Sequence, residues 1–267
     1  MSNYLPLYFR LISSRIRSQM QYRVSFSAEL LGTVLITGLD FAMVAILLTR
    51  FRAIGGWTLA EVAFLYGTSA VSFSVAELLI GGFEDFEDWV VRGEFDQLLL
   101  RPLPITFQMI TARFPTRRFG RLAQGLVALA LSLVLLRPAW SMAQVLFFPV
   151  MLVAGAILFM AVFVAGATSS FWAPQAHEAI NIFSYGGQFM TSYPMHIYQE
   201  WLVSIFTFII PMAFINYYPA LYLLDKPDPF GLPAFIPFLS PIVAVIAFRL
   251  SLALWRVGVR HYQGTGT

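Results

Sequence analysis

Residues 145–171 read VLFFPVMLVAGAILFMAVFVAGATSSF, a run without one charged side chain. At 1.5 Å of rise per residue, a helix of this length crosses the roughly 30 Å hydrocarbon core of a bilayer with some tilt to spare. The rest of the chain agrees with that reading. Of 267 residues, 58% are hydrophobic and 12% are charged. Soluble domains carry roughly a quarter charged residues, so this chain has too little charge to coat a water-facing surface. It has no cysteine, which excludes a disulfide framework, cysteine-ligated zinc, iron–sulfur clusters and thiol catalysis.

Outward from that run, the pattern predicts an all-α integral membrane protein with six transmembrane helices in one domain, 1–267. Span one is Phe26 to Thr49 and span two Val62 to Gly82, a hairpin turned by Gly55 and Gly56. Leu122 to Leu136 is span three and Val145 to Phe171 span four. Trp201 to Leu224 is span five and Ile242 to Val259 span six. Before them, residues 1–25 show Leu5, Phe9, Ile12, Ile16 and Met20 at helical steps with arginines between. That suits a retained interfacial helix better than a cleavable signal. The segment Gln175 to Tyr193 is mixed in polarity and is expected at the membrane surface. The prolines of 225–241 suggest an outer loop that re-enters the bilayer between spans five and six.

Orientation follows from the arginines, because cytoplasmic loops hold the excess of basic residues. With both termini inside, twelve basic residues face the cytoplasm and four, Arg50, Arg52, Arg137 and Lys226, face out. The basic pI of 9.3 reflects this anchoring. No aromatic-interleaved basic stripe points to nucleic acid.

Catalytic readings fail for want of residues. The one lysine, Lys226, follows no glycine-rich phosphate loop, so the chain has no Walker site. His177, His196 and His261 stand in separate segments, and no metal site or nucleophile elbow is expected.

The more informative stretch is the loop 83–121, with six acids and six arginines. Phe83, Phe86 and Val90 share a helical face opposite Glu84, Asp85, Glu87 and Asp88. Gly93 breaks that helix, and Phe95, Leu98 and Leu99 offer a second apolar face. Arg101-Pro102 then forces an extended exit. Composition leaves two readings open, a solvated connector or a protruding docking knob.

The run Arg92-Gly93-Glu94-Phe95-Asp96-Gln97-Leu98-Leu99-Leu100-Arg101-Pro102 resembles the signature of type-2 ABC exporter permeases. So do Tyr193-Pro194-Met195-His196-Ile197-Tyr198, the stretch Ile210 to Ala220, and the ending Trp255 to Gly264. The resemblance implies a permease subunit in a bacterial inner membrane that binds no cofactor itself. Two ABC ATPase subunits would carry ATP and magnesium, and a second permease, identical or sister, would complete the path. The substrate would be a drug, a toxic organic cation or a lipid. Residues 83–104 would be the coupling helix: Phe83, Glu84, Asp85, Phe86, Asp88, Val90, Gly93, Glu94, Phe95, Asp96, Leu98, Leu99, Arg101 and Pro102. Their apolar members would supply most of the affinity for the ATPase. The rival readings are an ion- or proton-coupled carrier or channel without an ATPase, and a membrane scaffold.

Four charged residues fall inside predicted spans, where each is costly unless paired or hydrated. Glu29 and Glu77 lie near inner span ends and are expected to snorkel to headgroups. Asp40 and Arg249 lie deeper, where they form an ion pair or Asp40 meets a cationic substrate. Pro211 is a candidate hinge in span five, or a kink that serves packing.

Overall fold

The computed structural model describes residues 4–21, 53–112, 114, 118–173 and 177–262, with single positions and pairs between 27 and 42. The described residues are helical, with no strand beyond an isolated bridge between Ile54 and Trp57. Helix α1 is Tyr4–Met20. Span one of the sequence reading, with Glu29 and Asp40, lies outside the described residues.

The Gly55-Gly56 turn forms as the sequence predicts. Both glycines have positive φ, 56° and 79°, which only glycine adopts without cost, and Ile54 and Trp57 exchange two backbone hydrogen bonds of 3.0 Å across them. Helix α2, Leu59–Ile80, begins there, and the Glu61 carboxylate accepts the Thr58 amide at 2.7 Å. Helices α3 (Phe86–Val91) and α4 (Phe95–Leu99) make an elbow at the other end of α2, followed by α5, Ile105–Ala112. Helix α6, Arg118–Leu136, returns alongside α2. Arg137, in the left-handed region at φ 44°, and Pro138 end it. Ser141 and Gln144 exchange a side-chain bond each way to open α7, Met142–Ser169.

Small residues let these helices meet. A β-carbon on Gly67 would stand 2.7 Å from the backbone nitrogen of Leu129, and one on Gly155 would stand 2.8 Å from the Ser72 hydroxyl. Gly67 therefore holds α2 against α6, and Gly155 holds α7 against α2.

Four helical stretches are long and apolar enough to cross a membrane: Leu59–Val91, Arg118–Leu136, Met142–Ser169 and Ile236–His261. A fifth arises only if the pair Glu200–Ile209 and Met212–Leu223, bent by 76°, counts as one span. The six predicted spans are thus not reproduced among the described residues.

Two segments differ from expectation. Helix α8, His177–Thr191, stands along α2 and does not lie across its end. Tyr185 reaches Glu77, and the Thr191 hydroxyl lies 2.7 Å from that of Ser69, two helical turns away. Tyr185 and Thr191 spend their hydroxyls on α2 and the elbow, polarity that hydropathy reads as facing water.

The predicted span five is a helical hairpin. Helix α9, Glu200–Ser204, runs through a π-helical turn to Ile209, and α10 is Tyr217–Leu223. Both ends return to one end of the bundle. His196, before α9, bonds the Gly55 carbonyl at 2.7 Å, while Lys226, after α10, pairs with Glu61 at 3.1 Å. Trp140, near the same end of α7, donates to the Leu223 carbonyl at 2.7 Å. Pro211 cannot continue the hydrogen-bond ladder, and the chain turns back there. This bend lies in 200–223, ahead of the proline-rich 225–241 stretch for which re-entry was expected. A short 3-10 turn, Ile236–Leu239, leads into α11, Ser240–His261.

Candidate coupling elbow

The elbow at 83–104 has the predicted two-helix form, hinged at Gly93 with φ 69°. Its apolar face is buried in the chain's own core. Phe83, Phe86, Val90, Phe95 and Leu98 are all buried. Phe86 stands at ring distances of 4.7 Å from Trp255, 4.8 Å from Phe171 and 5.1 Å from Phe95. Phe83 lies 4.9 Å from Trp255, and Phe95 lies 4.8 Å from Tyr262. Helix α11 can come this close because residue 258 is glycine; a β-carbon there would collide with the Phe171 ring. Burial, and next the carboxylate of Asp96 beside it, hold the Tyr262 phenol above its ordinary pKa. Gln108 closes the exit by donating to the carbonyls of Leu98 and Leu103, at 3.0 and 2.8 Å.

This corrects the expectation that the apolar residues would dock a partner. Phe83, Phe86, Val90, Phe95 and Leu98 are already occupied, because an aromatic cluster from α7 and α11 completes their helical face. What the elbow displays is Val91, Leu99 and Leu100, the last 86% exposed, among Asp88, Arg92, Glu94, Asp96, Arg101 and Pro102. Asp85 is half-buried, and Asp88 meets Arg92 at 3.9 Å with both side chains well exposed.

A second cluster joins the elbow to the bundle. Glu77, in the last turn of α2, is fully buried, and does not snorkel. Arg118 binds it at 2.7 Å and Arg121 at 3.1 Å, both from the first turn of α6. Arg118 also holds Glu84 at 2.9 Å, and the Tyr185 hydroxyl of α8 donates to Glu84 at 2.6 Å. The Arg121 guanidinium lies 5.3 Å from the centre of the Phe73 ring. Two carboxylates and two guanidiniums thus neutralise one another where α2, α6, α8 and the elbow meet.

Sequence reasoning placed the whole charged stretch to 121 outside the hydrocarbon and so missed Arg118, Arg121 and Tyr185. A signal existed: acids ending one helix and arginines opening its antiparallel neighbour lie at the same level. Of the other singled-out residues, Arg249 is exposed on α11 and pairs with no acid among the described residues. Pro211 marks the hairpin's bend. No group of three histidine, aspartate or glutamate side chains gathers as metal ligands among the described residues.

A family model described as ABC-2 family transporter protein matches residues 34–266. No curated protein and no solved structure matches the chain. The family match takes in the charge cluster as well as the elbow, the hairpin and α11, the last three being parts that the sequence motifs had singled out. The chain therefore belongs to the ABC-2 family of transporter proteins, as a membrane permease.

Proposed function

We propose that this permease is one half of an ATP-driven exporter, and that a separate ABC ATPase docks on the tip of the 83–104 elbow. A second permease, identical or sister, would complete the path, and each permease would carry one ATPase. The membrane is a bacterial inner membrane with both termini cytoplasmic, and the cargo is amphiphilic: a drug, an organic cation or a lipid. In this reading the chain crosses six times, with span one first and α8 as the fifth crossing. At 15 residues α8 is about 22 Å long, and the 200–223 hairpin fills the outer half beside it.

The observation that carries the reading is the elbow's two-sidedness. A lever must be stiff at its root and sticky at its tip. Aromatic packing on Phe171 and Trp255 and the Glu77–Arg118–Glu84 cluster make the root stiff. Leu99, Leu100 and Val91 leave an apolar tip ringed by charges, the anatomy of a small interface with a dry centre and a polar rim. ATP-driven closure of the ATPases would then move α2, α6 and α8 through that root.

The test is purification of the tagged chain in mild detergent, with mass spectrometry of what accompanies it and ATP hydrolysis of the eluate. A Walker-type ATPase should co-purify with the wild type and be lost from Leu100→Asp. A chain that is pure and inert toward ATP, or an ATPase retained by Leu100→Asp, defeats the docking reading.

A further inference from the structure

At the elbow end of α2, Arg121 sits in a box built by other helices. Its guanidinium lies 5.3 Å from the centre of the Phe73 ring and 6.0 Å from that of Tyr185, and its Nη1 donates to both oxygens of Glu77 at 3.1 Å. Phe73 and Glu77 are four residues apart on α2, so ring and carboxylate share one face of that helix, and α8 brings the second ring across. Two aromatic faces beside a carboxylate are the chemistry that recognises an organic cation. A further polar group stands close by. Gly67 meets Leu129 and Gly125 meets Ala70 and Val71, so the antiparallel register places Ser74 opposite Arg121. The Ser74 hydroxyl is fully buried and has no hydrogen-bond partner among the described residues, a costly state for a buried donor.

The two arginines of this cluster do different work. Arg118 binds Glu77 at 2.7 Å and Glu84 at 2.9 Å, so it joins α2 to the elbow. Arg121 pairs with Glu77 alone among the described residues, and it is the more exposed of the two, 21% against 10%. With the Arg121 side chain swung out to solvent, the Arg118 tie would stay. Two carboxylates would then face a single guanidinium, an imbalance that an incoming cation corrects. The space left is that of one planar guanidinium between two rings, too small for a bulky quaternary ammonium. We propose that the box binds the cationic head of an amphiphile, a guanidinium or primary ammonium, against Phe73, Ser74, Glu77 and Tyr185, and that Arg121 is a tethered stand-in which this head displaces. The inference rests on the exporter reading only in taking that amphiphile as cargo.

The test titrates the purified full-length chain, in detergent and without any ATPase, with butylguanidinium by isothermal calorimetry, and with butylurea as its uncharged counterpart. A tethered competitor lowers apparent affinity by the fraction of time for which it leaves the site open. Folded Arg121→Ala should therefore bind butylguanidinium at least about tenfold more tightly than the wild type. In that background Phe73→Leu and Ser74→Ala should each weaken binding about threefold, Glu77→Gln should abolish it, and butylurea should not bind. Arg121→Gln repeats the comparison should Arg121→Ala not fold, folding being read by size exclusion. No gain in affinity in the folded Arg121 variant, equal binding of butylurea, or binding that survives Glu77→Gln overturns the proposal. So does failure of both Arg121 variants to fold, which would make Arg121 a structural member of the cluster. An ATPase that co-purifies with a chain blind to butylguanidinium removes this site and leaves the exporter reading standing; a chain that binds butylguanidinium but is inert toward ATP does the reverse.

Discussion

Replacing Glu77 by glutamine keeps the shape of the side chain and removes its charge. The carboxylate is fully buried, with Arg118 at 2.7 Å and Arg121 at 3.1 Å. Arg118, 10% exposed, would keep Glu84 at 2.9 Å, but Arg121 would lose its carboxylate. Breaking a buried pair from one side costs about 3–5 kcal/mol, because the partner charge is left uncompensated. Since Arg118 retains a partner and Arg121 is 21% exposed, the lower end applies, about 3 kcal/mol. For a chain of this size that is a fall of about 6–12 °C in the unfolding midpoint. The assay is thermal unfolding in detergent, followed by fluorescence-detected size exclusion. The paired change Glu77→Gln with Arg121→Gln should recover part of the loss, because the orphaned charge is gone. The exposed control Asp88→Asn, whose partner Arg92 is 3.9 Å away, should stay within about 0.5 kcal/mol. An unchanged midpoint in Glu77→Gln, or no recovery in the pair, would refute the account of the cluster as the root of the elbow.

Phe86→Ala should lower stability by about 3–5 kcal/mol, while Leu100→Asp should leave the unfolding midpoint unchanged, because one ring is buried under Trp255 and Phe171 and the other side chain is displayed. The reverse order would restore Phe86 as a docking residue. Gly67→Ala should cost about 1–3 kcal/mol in the same melt, since the added carbon meets the Leu129 backbone and must separate α2 from α6. The absence of cysteine makes labelling clean: Glu200→Cys and Pro229→Cys should both react with an impermeant maleimide from outside, and Gln97→Cys only after permeabilisation. Labelling of Glu200→Cys and Pro229→Cys from opposite sides would make 200–223 a crossing and not a hairpin.

Long apolar runs report on themselves. The helices at 59–80, 118–136, 142–169 and 240–261 overlap closely with the sequence reading, because hydrocarbon excludes any other backbone that leaves its polar groups unpaired. The Gly55-Gly56 turn and the Gly93 break were equally legible, since each depends on what one residue's backbone can adopt, whereas Pro211 read only as a hinge or a kink within a span. Family membership followed from local motifs, which lie in order along the chain.

Where the chain must be satisfied by distant residues, the sequence was silent. Helix α8 reads as half polar in part because Tyr185 and Thr191 spend their polarity on the bundle, and no local pattern distinguishes that from polarity spent on water. The stretch 201–224 reads as a span because hydropathy measures composition and not direction; the ties of His196 to Gly55 and Lys226 to Glu61 are what return it to its starting side. Glu77 and Arg118 looked like interfacial charges until their partners, more than 40 residues apart, cancelled them in the core. The elbow shows the division most plainly. Its sequence determined two short amphipathic helices, but whether their apolar faces meet a partner or the chain itself was decided by Phe171, Trp255 and Tyr262. Those rings reach the elbow only once α7 and α11 are packed. Backbone preference and hydropathy are local quantities, readable one segment at a time, whereas which face is covered depends on contacts that exist only in the folded bundle.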